Sequence, residues 1–195
     1  MKKVLVLLGL TLHMHSCVTD TGTGNYADQQ MEEKLETNFL NDSLYYSKFE
    51  KFTVSKISET NDETRNTLEY ESLLEIVNDG KEDIKKKMPS QEDANQTMKW
   101  LKSSRGGHLT FNLEGITSDM ANTGNYRVVI VDTNDEEIYR EDLSRDHGNY
   151  SSGRYPYWNI AIVSPEKILE FPVKVYLINL ITGNRDEFSI DAEMK

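Results

Sequence analysis

Apolar residues recur along this chain at two different spacings, and the change between them falls at Arg105-Gly106-Gly107. Before it the period is helical. Met31, Leu35 and Phe39 return every four residues and lead to Leu40, Leu44 and Tyr45, a single apolar stripe that predicts a helix over about 28–50. Phe52 and Val54 either extend it or form a short strand, and the polar run from Ser58 to Thr64 breaks the pattern. Tyr70, Leu73, Leu74 and Val77 sit at i, i+3, i+4 and i+7, which predicts a second helix over roughly 64–78, for which Gly80 can act as the stop or Lys81 to Met88 can add a basic turn or two before Pro89. After Pro89, Ser90 and Asp93 read as an N-cap with an acidic first turn. Ala94, Met98 and Leu101 then line one side of a third helix over about 91–104.

Beyond the glycine pair the period becomes two. Leu109, Phe111 and Leu113 alternate with polar residues and mark a half-buried strand over about 108–114. Tyr126 to Asp132 reads as a buried strand, and the turn from Asp132 to Asp135 joins it to Glu137–Glu141 as a hairpin. Further strands fit Tyr157 to Val163, Pro172 to Leu180 and Asp186 to Ile190, with Thr182-Gly183-Asn184 supplying a last hairpin turn. Short strands with turn signals between them and no long intervening helix predict an antiparallel sandwich, immunoglobulin-like or transthyretin-like. The expected class is therefore α+β, an N-terminal helical region over 31–105 followed by a β-sandwich over 106–195.

The first residues, MKKVLVLLGLTLHMHSC, have a different character. Lys2 and Lys3 precede an apolar run from Val4 to Leu12, which is too short for a hydrocarbon core that needs about 20 apolar residues. Met14-His15-Ser16-Cys17 then presents a small residue just before the only cysteine. This segment resembles a bacterial lipoprotein signal with a relaxed lipobox, from which His15 departs. The resemblance implies cleavage after residue 16, a diacylglyceryl thioether on Cys17 with palmitate-type chains, and a place in the cell envelope, at the outer membrane rather than the inner. Two acyl chains suffice for stable anchoring at roughly 0.8 kcal/mol per buried methylene. The alternative is an ordinary secretory signal that leaves Cys17 as a free thiol. Residues 17–30, polar and rich in Thr and Gly, read as a flexible tether. Gly22-x-Gly24-x-x-Ala27 within it matches a dinucleotide fingerprint only formally, because no strand enters it.

Charge narrows the partners. The chain carries 22 basic and 33 acidic residues, and loss of Lys2 and Lys3 with the leader leaves 20 against 33, a net −13. Such a balance repels nucleic acid and anionic headgroups, so membrane contact is expected through lipid alone.

Candidate chemistry is sparse. His13 and His15 leave with the signal, and neither His108, at a strand start, nor His147, beside Asp146, lies near a G-x-S-x-G elbow. No Walker loop or H-E-x-x-H helix occurs, and two distant histidines without a spare cysteine do not build a zinc site. No cofactor is called for. Asp132, Asn134, Asp135 and Glu137 form a weak calcium candidate on the hairpin turn, the alternative being a solvated turn. The most suggestive surface candidate is Tyr150, Arg154, Tyr155, Tyr157 and Trp158, whose flat rings and guanidinium fork suit a protein hot spot or a stacked glycan. The alternative is that these rings pack the end of the sandwich.

These features describe a non-enzymatic, membrane-tethered β-sandwich that binds a protein partner in a secretion-apparatus, assembly or inhibitor/immunity role. A glycan ligand is the second expectation, and a carboxylate- or calcium-dependent hydrolase the third. The layout of acylated cysteine, sandwich and added helices resembles the outer-membrane lipoproteins of type VI secretion systems. The segment Phe171 to Leu177 is similar to a Pro-led strand in that family.

Overall fold

The computed structural model describes residues 22–58 and 62–195. The leader, Cys17 and the first tether residues lie outside the described residues. The chain folds as α+β, with three helices and two antiparallel sheets packed as a sandwich.

Helix α1 covers Gly22–Tyr46, so the stretch over 22–30 that composition marks as tether is already helical. Strand β1, Phe49–Lys56, follows at once, which settles Phe52 and Val54 as strand rather than as helix extension. The second predicted helix is corrected at its start. Thr67–Glu71 is strand β2, and helix α2 runs Leu73–Lys87, passing through Gly80 without stopping and ending at Met88 before Pro89. Leu68 and Tyr70 turn inward on β2 and pair with Phe111 and Leu109, so the helical spacing from Tyr70 to Leu73 is a coincidence across a strand–helix junction. Ser72 marks the true helix start. Its hydroxyl accepts the Glu75 N–H at 3.4 Å, and the Glu75 carboxylate accepts the Ser72 N–H at 2.7 Å, a reciprocal capping box. Helix α3, Gln91–Ser103, begins at the expected Ser90 cap.

The remaining strands are β3 His108–Gly115, β4 Tyr126–Val131, β5 Glu137–Asp142, β6 Asn149–Tyr150, β7 Tyr157–Val163, β8 Val173–Asn179 and β9 Arg185–Met194. One sheet has the order β1-β9-β8-β4-β5 and the other β2-β3-β7-β6. Both sheets therefore draw a strand from the stretch over 31–105 assigned to the helical region, β1 where a short strand is one of two readings and β2 where a helix is expected. Alternation places Leu109, Phe111, Leu113 and Val163 of one sheet against Val128, Ile130, Val175, Leu177, Phe188 and Ile190 of the other, where all are buried. The Phe111 and Phe188 rings meet edge to face at 6.3 Å in this core.

Helix α1 lies on α3 through Leu35, Phe39 and Tyr46, and its Asp42 meets Arg105 just past the end of α3. Met31, Leu40 and Leu44 of the expected stripe are exposed instead. Glu32 and Glu36 meet Lys99 and Lys102 across the pair. Tyr46, Phe49, Phe52, Tyr70 and Phe171 form one aromatic cluster that joins the helices to the sandwich. With β1 and β2 in contact behind this cluster, one flank of the sandwich is closed. The other flank, between β5 and β7, is open.

Candidate interaction surface

The five residues marked by their aromatic character are split by strand alternation. Tyr150 on β6, 73% exposed, meets Tyr157 edge to face at 5.4 Å. Trp158 turns to the opposite face of the strand, outward, beside Arg65, Thr67, Asn112 and Glu114 in a groove of about 310 Å³. Tyr155 stacks between the guanidinium groups of Arg65 and Arg154, at 5.6 and 5.5 Å. Arg154 also meets Asp62 at 3.0 Å. Arg65 pairs with Glu114, so Tyr155 and Trp158 share one polar-rimmed surface while Tyr150 and Tyr157 belong to another.

The oxygens of the hairpin turn are already engaged. Asp132 accepts the N–H groups of Asn134 and Glu136 at 2.8 and 2.9 Å, Asp135 pairs with Lys174 at 2.7 Å, and Glu137 pairs with Arg140. These hydrogen bonds, led by the Glu136 N–H, hold the Asp132 carboxyl below its usual range. They fix a turn with Asp135 in the left-handed region at φ 60. Among the described residues no three His, Cys, Asp or Glu side chains converge as a metal site.

The histidines lie apart. His108 is buried, with Nε2 3.2 Å from Ser104 Oγ and its ring 5.3 Å from Trp100, and burial lowers its pKa. His147 sits on the loop from β5 to β6, where neighbouring Asp146 engages Thr123 through its main chain.

Pattern reading missed the open flank because it depends on which strands end each sheet. β5 is the free edge of its sheet, and β6 covers β7 only at Tyr157 and Trp158. Between these edges lies a cleft of about 880 Å³, lined by Ile138 and Tyr139 on one side and by Ile162 and the crossing 164–170 on the other, with Trp100 at its end. Asp132, Glu137, Glu141, Glu166 and Glu170 face it, against one cation, Lys167. The Tyr139 hydroxyl donates to Glu141 within the cleft. Desolvation first, then that hydrogen bond and the charges of Glu141 and Glu166, push its pKa up. Trp158, Ile160 and Ile162 form a row down β7, 38%, 48% and 57% exposed, with Ile162 at the edge of the cleft and the other two beside it. An exposed, apolar, unpaired edge strand is something soluble proteins ordinarily blunt or cover.

Among the described residues no helix is long and apolar enough to cross a membrane. Comparison of the chain with known family models, curated proteins and solved structures finds no match.

Proposed function

We propose that this chain is a non-enzymatic protein of the cell envelope, anchored by lipid at Cys17, that binds a protein partner through the open flank between β5 and β7. The observation that carries the reading is the uncovered row Trp158, Ile160 and Ile162 beside an acidic cleft. A core-facing alternation would bury such residues, and a purely solvated face would not use them. The leader and the cysteine at its end support the envelope location.

The test is affinity capture from the detergent-solubilised native envelope, comparing wild type with Ile160→Lys/Ile162→Lys. Both positions are about half exposed, so the double variant is expected to fold. Wild type retains a stoichiometric partner and the variant loses it by about tenfold or more, since each buried apolar contact is worth about 1–2 kcal/mol. Equal recovery by both proteins contradicts the reading. The mass of the mature N-terminal peptide tests the anchor: a diacylglyceryl adduct on Cys17 supports it, and a bare thiol removes it.

A glycan is the second reading, favoured by the groove in which Trp158 lies beside Arg65, Asn112 and Glu114. A flat ring with flanking hydrogen-bonding side chains suits a sugar face. Glycan-array binding lost in Trp158→Ala would favour it over the protein partner.

A further inference from the structure

The free edge of β7 offers main-chain groups in a defined direction. In an antiparallel ladder alternate residues turn both N–H and C=O toward the same neighbour. The Glu114 carbonyl accepts the Arg65 N–H, so Glu114 faces away from β7, and with it Asn112 and Thr110. Their β7 counterparts Trp158, Ile160 and Ile162 accordingly face away from β3, toward the open edge. Trp158 meets Asn149 of β6 there. The Ile160 N–H donates instead to Asn159 Oδ1 at 2.9 Å, a side chain standing in for a missing strand. The Ile160 carbonyl and both main-chain groups of Ile162 point to the flank, where no described strand pairs with them.

We infer that β7 accepts an added strand, an extended basic segment of the protein partner that pairs with Ile160 and Ile162 and lays its cationic side chains along the acidic cleft. The inference rests on the reading of this flank as a protein-binding surface. Main-chain pairing supplies sequence-independent affinity in this mode, and side chains choose the partner. Charge identifies the occupant. Glu141, Glu166 and Glu170 have no cationic partner among the described ion pairs; β7 leads into Glu166 and Glu170, and Glu141 lines the same cleft from β5. A partner with lysine or arginine at alternate positions relieves that repulsion. A second copy of this chain, itself carrying −11, increases it.

The probe is an eight-residue peptide of alternating lysine and valine, blocked at both ends, compared with its glutamate–valine counterpart. Two further lysine–valine peptides carry N-methyl groups, one on every lysine and the other on every valine. With the full mature chain, the lysine peptide is expected to slow amide exchange at Ile162 by about tenfold or more, and the glutamate peptide to leave it unchanged. One N-methylated peptide loses binding and the other retains it, because only alternate N–H groups face β7. Raising salt from about 50 mM to about 500 mM weakens the lysine peptide severalfold. Unchanged Ile162 exchange at millimolar peptide overturns the proposal, as does equal behaviour of the two N-methylated peptides. Protection of Ile162 by self-association, seen in sedimentation without peptide, overturns it in favour of a second copy. If the peptides fail while Ile160→Lys/Ile162→Lys still loses its partner, the flank remains a protein surface and only strand addition falls.

Discussion

Arg105→Ala is expected to destabilise the fold by about 3 kcal/mol, read as a lower urea midpoint at unchanged slope. The Asp42 carboxylate on α1 is 1% exposed and is held by two parallel hydrogen bonds from Arg105, at 2.6 and 2.9 Å. That bidentate geometry is the strong form of the pair, and the Arg105 carbonyl also accepts from the Tyr46 hydroxyl at 2.8 Å. Truncating Arg105 leaves a buried carboxylate without its counter-ion, for which about 3–5 kcal/mol is usual. The lower end applies because the Arg105 side chain is partly exposed, so its departure admits water. Adding Asp42→Asn in the same chain removes the charge and is expected to recover most of the loss. If the double variant is no better than Arg105→Ala, burial of charge is not the cause. A second transition appearing in Arg105→Ala would show that α1 detaches while the sandwich stays folded.

Phe111→Ala is expected to cost about 3–5 kcal/mol. Phe111 is fully buried on the central β3, between Leu68 and Ala161 in register and edge to face with Phe188 of the opposite sheet. Neighbours from both sheets cannot collapse into the space without bending strands on either side, so a cavity remains. Ile162→Ala on the adjacent β7 provides the contrast. Its side chain is more than half exposed at the edge of the cleft, and it is expected to change stability by less than about 0.5 kcal/mol. A loss at Ile162 comparable to that at Phe111 would mean that the β7 edge is covered in solution.

Strands β3, β7 and β8 were legible because one face of each is buried and the other solvated, so alternation carries the burial pattern directly, whereas the two exposed residues of β6 carry no pattern and were missed. Helix α3 was legible from its cap. The start of α2 was equally readable in Ser72-x-x-Glu75, but the chance helical spacing of Tyr70 with Leu73 and Val77 outweighed it. Irregular register between Phe49 and Lys51 breaks the two-residue period at the start of β1, which left a short strand at Phe52 and Val54 as only one of two readings. Asp42 could not be picked out on α1, because a carboxylate facing inward has meaning only once Arg105 is placed opposite it. The aromatic residues from Tyr150 to Trp158 were visible as a group, yet alternation along β7 sends the neighbours Tyr157 and Trp158 to opposite faces. Ile160 and Ile162 gave no warning at all. An alternating apolar strand looks the same whether its outer face meets solvent or another chain, and only the sheet order shows that this edge is free.

The most direct measurement places a photo-crosslinking amino acid at Ile162 on the open flank and, separately, at Thr53 on the outer face of β1, and irradiates intact cells. One discrete protein adduct is expected from position 162, lost when Ile160→Lys is added, and none from position 53. Adducts of equal yield from both positions, or none from position 162, would contradict a partner site on this flank.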